Sequence, residues 1–489
     1  MKATDRRTRM IIGTVATLGL IISACGSDDS SDDSSAATDA PAETDAPAET
    51  DTPAQTDAPT ATGAPAATDV PAETDAPAET DPPTTEPVEL TATARGVSAD
   101  TITVGYSYLD FDELVSKGFS SAGWGDQELE LQSIVDAVNA SGGINGRMIE
   151  VIYKPYSALG TESAEAVCLE LTQDNEVFAV LGGYLGPAEP ANTCIAGRGE
   201  TVLVGGVQSA ERLAETTAPW LAARVLRTRQ ADVLLELLGS EGMLDGAEVA
   251  VVARVDSADV LDDVVASMEA AGVPPVESLQ SEAAVGDLVA EDNEWAILAE
   301  RIRGSGANTV FLIGNPGAGI RNIASQGLDV DIWALDEESM TALGNSVDLE
   351  DARGVITAST LDGQELWDHE TVTECRDTFT AANPDIEIIG PNDQVDGDED
   401  WTRGLTVACR FFGLFARVAT AAGPELTNET FAAVAASDFG QFSIVGQPFS
   451  SLGPDKFDSN DSFALVSFNP DVGAAGAFDK ITEIRDVTP

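Results

Sequence analysis

His369, in the stretch LWDHETVTEC, is the only imidazole among 489 residues, so any histidine acting as acid or base would have to be this one. No GxSxG elbow occurs in the chain to give it a serine nucleophile. His369 therefore reads as a surface or core residue of an amphipathic helix. Carboxylates are plentiful, at 84 Asp and Glu, and a hydrolase built on this chain would have to use a pair of them. GNPGAGIRN, from Gly314, places three glycines after an apolar run, with Asp336 downstream. Its order is GxxGxG and not the GxGxxG that cradles a pyrophosphate, so it reads as a cleft loop capping a helix. DGDEDW, from Asp396, alternates carboxylates as a calcium loop does, but Trp401 stands where such a loop needs glycine and Val407 where it needs glutamate. It reads as a solvated acidic loop, and no cofactor or metal is expected.

The elements that must position these residues alternate in type. Strand-like runs are TITVGYS from Thr101, MIEVIY from Met148, VFAVLGG from Val177, TVLVGG from Thr201, EVAVVAR from Glu248, TVFLIG from Thr309 and DIWAL from Asp331. Between them lie helix-like stretches such as QELELQSIVDAVNAS, ESAEAVCLELTQD, DVLDDVVASMEAAG and WAILAERIRGSG. β-Branched runs that end in glycine or a polar residue and alternate with amphipathic stretches predict parallel sheets with crossover helices. The fold class is α/β, and about 395 residues suit two doubly wound, Rossmann-like lobes better than one core. Ligands of such sheets bind beyond the carboxyl ends of the strands.

The N-terminus has a different composition. Lys2, Arg6, Arg7 and Arg9 precede the apolar stretch Met10 to Ala24, which is too short to span a bilayer about 30 Å thick and reads as a secretory signal over 1–24. Its end, Ile22-Ser23-Ala24-Cys25, looks like a bacterial lipobox, in which Cys25 becomes the first mature residue and carries the lipid. From 25 to 92 a TDAPAE-like unit recurs, with proline in each repeat and no Lys or Arg. Such a segment buries too little to offset its ordering entropy and is expected to be a disordered tether. It would reach between about 45 Å as a coil and about 200 Å as a polyproline helix. Leader and tether hold four basic and eighteen acidic residues, which leaves 21 basic and 66 acidic in the remainder, a net charge of −45. That surface repels nucleic acid and anionic lipid. Cys168, Cys194, Cys375 and Cys409 remain; an even number in an exported chain predicts disulfides, and chain order suggests Cys168–Cys194 and Cys375–Cys409 among three connectivities. Zinc is disfavoured by the lack of a CxxC pair and by the single histidine.

AVNASGGINGRMIEVIY, in which Gly142-Gly143-Ile144-Asn145-Gly146-Arg147 ends a helix and turns into a strand, resembles the signature turn of type I periplasmic binding proteins of the leucine/isoleucine/valine-binding class. DTITVGYS, VFAVLGG and KFDSNDSFALVSF are similar to other stretches of that family in order and spacing, over nearly all of residues 98 to 487. The resemblance implies two lobes joined by a three-segment hinge, with 98–226 and 355–440 in lobe 1 and 227–354 and 441–487 in lobe 2. It also implies a non-enzymatic, monomeric receptor that traps a small-molecule solute and delivers it to an ABC permease. Together with Cys25, this places the protein outside the cytoplasm, anchored to the cell membrane by lipid. An amino acid or related amide or carboxylate is the implied ligand.

Carried over by position, the family's ligand contacts fall on Tyr106, Ser107 and Tyr108 after the first strand, Gly183 and Tyr184 after the third, and Val207 and Gln208 after the fourth. Asp256, Asn315 and Asp336 are the second-lobe counterparts. Gly183-Tyr184 departs from the hydroxyl pair usual for amino-acid binders of this class, which weighs against a plain aliphatic amino acid. The alternatives are a ligand sensor for a signalling partner and a carboxylate-based hydrolase. The acid excess gives one direct expectation: raising sodium chloride from about 0.05 to about 1 M screens self-repulsion and increases the melting temperature of the purified protein. A flat or falling salt series in a thermal melt would contradict this reading of the charge.

Overall fold

In the computed structural model, residues 89–118, 120–283, 288–335, 347–395, 397–437, 439–472 and 476–489 are described. The leader, Cys25 and nearly all of the tether lie outside that set. The first sheet has the order β2-β1-β3-β4-β5, comprising Met148–Tyr156, Thr101–Leu109, Ala179–Gly182, Val202–Gly205 and Trp220–Leu221. All of its pairings are parallel. The second sheet runs β7-β6-β8-β9-β10 in parallel, comprising Glu277–Gln280, Val249–Ala253, Thr309–Ile313, Asp331–Ala334 and Ile356–Ser359. One topology thus occurs twice. β13 (Ser462–Asn469) extends the second sheet antiparallel to β10, and β14 (Ala477–Lys480) and β15 (Arg485–Asp486) pair with β13.

Strand alternation explains why each sheet is covered on both faces. Val249, Val251 and Phe311 pack with helices Arg227–Ser240 and Leu261–Ala270, while Val252, Val310 and Leu312 pack with Leu288–Ser305 and Gly317–Ser325. In lobe 1, Ile102, Val104, Leu181 and Val204 face helices Gln127–Ala140 and Trp401–Ala422. Val180, Leu203 and Trp220 face the opposite side, around Cys168 and Cys194. Helix Trp401–Ala422 is apolar and long enough to cross a membrane, yet Leu405, Phe412, Phe415 and Val418 are core residues of lobe 1. Both expected disulfides are present, Cys168–Cys194 inside the lobe 1 core and Cys375–Cys409 joining helix Glu370–Ala382 to Trp401–Ala422.

The glycine-rich turn holds the base of lobe 1, away from the carboxyl ends of the strands. Gly143 has φ 71°, and a Cβ there would collide with the Arg147 carbonyl. Asn145 donates to the Ala419 and Thr420 carbonyls at the end of the long helix, both at 3.1 Å. Arg147, 1 % exposed, donates to the carbonyls of Ser98, Pro424 and Thr91 at 2.7, 2.7 and 2.9 Å. The segment 91–98 and the stretch after the long helix thus meet on one guanidinium.

Three segments cross between the lobes: 222–226, 360–362 and 452–461. The lobe boundaries expected at 355 and 441 are corrected accordingly. β10 belongs to the second sheet through its pairing with β9 and β13. The hairpin β11 (Gln441–Ile444) and β12 (Gln447–Ser451) buries Phe442 and Ile444 in the lobe 1 core. Ownership of a short apolar run is set by its pairing partner, which its own residues do not specify.

The third crossing segment binds the first. Ala222 and Asp458 form a parallel bridge, with Ala222 N donating to Phe457 O at 2.9 Å and Ser459 N to Ala222 O at 2.8 Å. The carboxylates of Asp458 and Asp461 are buried and paired with Arg229, at 3.1 and 2.9 Å, and with Lys456, at 3.3 and 3.2 Å. Ser451 Oγ donates to Asp461 at 2.6 Å. Removing one partner of a buried ion cluster leaves a charge uncompensated, so Arg229→Ala is expected to cost about 3–5 kcal/mol in a denaturant titration. The exposed Arg301–Glu277 pair is the control, where Arg301→Ala should cost less than about 1 kcal/mol.

Candidate ligand cleft

In a sheet of order 2-1-3-4-5, the crossovers leave to opposite sides of the first strand and open a crevice at its carboxyl end. In lobe 1 this point lies between β1 and β3, where Tyr108 and Gly182-Gly183 emerge. β3 and β4 end in close contact: Gly206 N donates to Gly182 O at 2.7 Å, and a Cβ on Gly183 would stand 2.7 Å from Gly206 N. Two glycine pairs are needed because the two backbones touch. Asn192 locks the following residue, accepting from Tyr184 N at 2.8 Å and donating to Tyr184 O at 2.9 Å. Beyond β4, Ser209 caps helix Ala210–Ala214, and Arg212 donates to Val207 O at 3.1 Å while pairing with Glu189.

Lobe 2 offers the matching point between β6 and β8. There a small crevice of about 20 Å³, room for little more than a water molecule, is lined by Arg254, Ser281, Glu291, Trp295, Leu312 and Asn315, among others. In the loop after β8, Asn315 Oδ1 accepts from Gly317 N at 2.9 Å, just before helix Gly317–Ser325. Glu294 holds the loop after β7 by accepting from Ser281 Oγ, Glu282 N and Ala283 N. Arg227 reaches Ser257 Oγ at 2.5 Å in the loop after β6.

The expected contact residues separate into exposed and enclosed sets. Tyr108, half-buried with its hydroxyl donating to Glu128, Val207 and the exposed Asn315 stand at the strand ends with accessible surface. Tyr106 and Tyr184 are corrected to core residues. Tyr106 follows Ile102 and Val104 on the helix-covered face and packs edge-on against Tyr153, and Tyr184, fully buried, packs at 4.9 Å on Tyr156 beside the Cys168–Cys194 cluster. Burial raises both phenols well above the usual tyrosine range. Ser107 and Gln208 are buried braces: Ser107 Oγ donates to Gly183 O at 3.3 Å, and Gln208 Nε2 donates to Trp220 O at 2.8 Å. Gly183 is buried at the strand contact. Asp256 lies in the turn Val255–Val260, its side chain outside the described set, and Asp336 lies outside the described residues. His369 is a helix cap, its Nδ1 accepting from Thr371 N at 3.3 Å. Asp400, in the acidic loop, likewise caps the long helix.

The family model for periplasmic binding proteins matches residues 128–390, more than half of the chain. The chain belongs to the periplasmic binding protein family. Among solved structures, an ABC transporter substrate-binding protein from Desulfitobacterium hafniense in complex with Leu aligns with a TM-score of 0.52 at 15% identity, over 78% of this chain and 100% of its own. A putative branched-chain amino acid ABC transporter protein from Rhodospirillum rubrum gives 0.51 at 15%, over 78% and 100%. A solute-binding protein from R. palustris in complex with 4-hydroxybenzoate gives 0.51 at 16%, over 80% and 98%. These likenesses establish a shared fold. No curated protein matches the sequence.

This periplasmic binding protein has further charged and aromatic groups in lobe 1 that a reading by strand ends overlooks. Trp124, in the loop after β1, is held between Phe111 at 4.9 Å and the Arg403 guanidinium at 4.7 Å. The seam continues in Gly125 N donating to Glu399 and Asp400 N donating to Gly123 O. Beneath it lies Glu130, fully buried, with neither carboxylate oxygen hydrogen-bonded. It packs on Gly404, where a Cβ would stand 2.5 Å from Oε2. Burial first, then the charges of Asp126, Asp400 and Glu399, raise its pKa well above the ordinary glutamate value. The unfolded chain therefore loses this proton at lower pH than the folded one, and stability falls as pH rises from roughly 4 toward the folded pKa. Glu130→Gln should melt close to wild type at pH 4 and above it at pH 8. A pH-independent difference between the two melting curves would rule this out.

Proposed function

We propose that this protein is an extracytoplasmic solute receptor, held at the membrane by a lipid on Cys25 and ranging above it on the acidic tether. It captures a small polar ligand between its lobes and hands it to an ABC importer. The amino acid and aromatic acid seen in the solved relatives support a ligand class of amino acids and related amides or carboxylates. The observation that carries this reading is the repeated 2-1-3-4-5 sheet, since in doubly wound folds ligands bind at the switch point beyond the carboxyl ends of the strands and two such lobes close around a ligand. A ligand that touches both lobes prefers the closed state and shifts the open–closed equilibrium by that preference. Half-buried Tyr108 and Val207 and exposed Asn315, with Arg254 in the lobe 2 crevice, are the proposed contacts.

A thermal-shift panel of amino acids, amides, polyamines, small carboxylates and aromatic acids tests it. Ligand at one hundred times its Kd adds about 2.7 kcal/mol, which corresponds to a shift of several degrees. The bound compound should be recovered chemically unchanged, and small-angle scattering should show compaction on saturation. Conversion of a hit to product would make the protein an enzyme, and a hit without compaction would remove closure from the mechanism.

A further inference from the structure

Glu130 stands in the first turn of helix Gln127–Ala140, and topology fixes which end of lobe 1 that is. β1 and β2 run parallel, so the helix between them begins at the carboxyl end of β1, reached through the loop 120–126. Helix Trp401–Ala422 has its last carbonyls tied to the base by Asn145. Its first turn, with Trp401 and Arg403, therefore lies at the same end as Glu130.

The loop closes over the carboxyl group. A Cβ on Gly125 would stand 2.7 Å from Glu130 Oε1, and one on Gly404 would stand 2.5 Å from Oε2 and 2.0 Å from the Trp124 carbonyl oxygen. The two glycines leave room for the carboxyl, and that carbonyl shares the same space. Both Glu130 oxygens are sealed from solvent and neither accepts a hydrogen bond. An ionised carboxylate there would be desolvated, without a donor and facing a carbonyl oxygen. A neutral carboxyl has a proton to donate, with the Trp124 oxygen beside it as acceptor.

The groups packed around it do not favour the anion. Asp126 caps the same helix, accepting from Leu129 N at 3.0 Å. Glu399 accepts from Gly125 N at 3.2 Å, and Asp400 accepts from Arg403 N at 3.0 Å. Tyr106 faces Glu130 from β1. Helix Glu370–Ala382 meets this end through Phe379, whose ring lies 5.8 Å from that of Trp401. The one cation here, Arg403, is turned onto the Trp124 ring, 4.7 Å from its centroid, and forms no ion pair with Glu130.

We propose that Glu130 is a proton-operated pin for the loop 120–126: as a neutral acid it donates to the Trp124 carbonyl and holds the loop down, and on ionisation it draws in water and releases the loop. The loop follows the carboxyl end of β1, the end at which doubly wound sheets bind ligands. One edge of lobe 1 therefore loosens as pH rises, while the base turn around Arg147 does not. The pin does not depend on the identity of any solute.

Hydrogen exchange read by mass spectrometry on the purified protein tests it, with each peptide's rate divided by its intrinsic rate at the same pH. The reporter peptides span 123–130 and include the bonded amides of Gly125, Leu129 and Glu130. Between about pH 5 and about pH 8 their protection in wild type should fall by about tenfold or more, while that of peptides spanning 143–149 should hold constant. Glu130→Gln, neutral at both pH values, should keep the loop protected throughout. Should that variant fail to fold, wild type decides alone: a loss confined to the loop supports the pin, and an unchanged ratio between loop and base turn overturns it. An equal loss in wild type and Glu130→Gln would also overturn it and point to another titrating group, since His369, the only histidine, remains in the variant.

Discussion

The buried ion cluster of Asp458, Asp461, Arg229 and Lys456 is the constraint on which the two-lobed arrangement rests. Two carboxylates withdrawn from water are tolerable only when cations and hydroxyls surround them, and here those partners come from the start of the first lobe 2 helix and from the third crossing segment itself. Asp458 also accepts from Leu226 N at the end of the first crossing segment. One pair of side chains therefore fixes where the chain leaves lobe 1 and where it returns. Gln447 extends this network by donating to Ala223 O and accepting from Ser459 Oγ. The cluster sits in the crossing segments and away from the carboxyl ends of the strands, so the proposed closure would leave it intact.

Given that anchor, both sheets present the carboxyl ends of their strands where ligands bind in doubly wound folds. The two walls differ in character. Lobe 1 brings β3 and β4 into backbone contact through glycines, so its surface is low and rich in peptide groups. Lobe 2 has a small crevice lined by the side chains of Arg254, Trp295 and Glu291. Arginine recurs around the cleft and the hinge in a protein otherwise dominated by carboxylates, which fits the proposed reading of an acidic or zwitterionic solute.

Strand alternation explains the mixed outcome for the site residues. Tyr106 and Ser107 are neighbours in sequence but point to opposite faces, one into the aromatic core beneath helix Gln127–Ala140 and the other to the β3 backbone. The period-2 pattern of Ile102, Val104 and Tyr106 was visible in the residues and is a signal that Tyr106 belongs to the core. No comparable local signal existed for Tyr184, whose burial depends on Tyr156 and on the Cys168–Cys194 pair folding over it. Trp124 and Arg403 lie 279 positions apart, and their stacking is invisible without the fold.

The residues alone were sufficient for the α/β class, most strands and crossover helices, the presence of disulfides and the expectation of two lobes, because periodicity, glycine placement and cysteine parity act locally; chain order suggested the pairing that the structure shows. Tertiary structure decided the rest. It assigned β10 to the second sheet and the hairpin 441–451 to the first core, and it enclosed Tyr106 and Tyr184. The physical reason is the same in each case: burial and charge compensation depend on which distant segments share a volume, and no stretch of sequence contains its own neighbours.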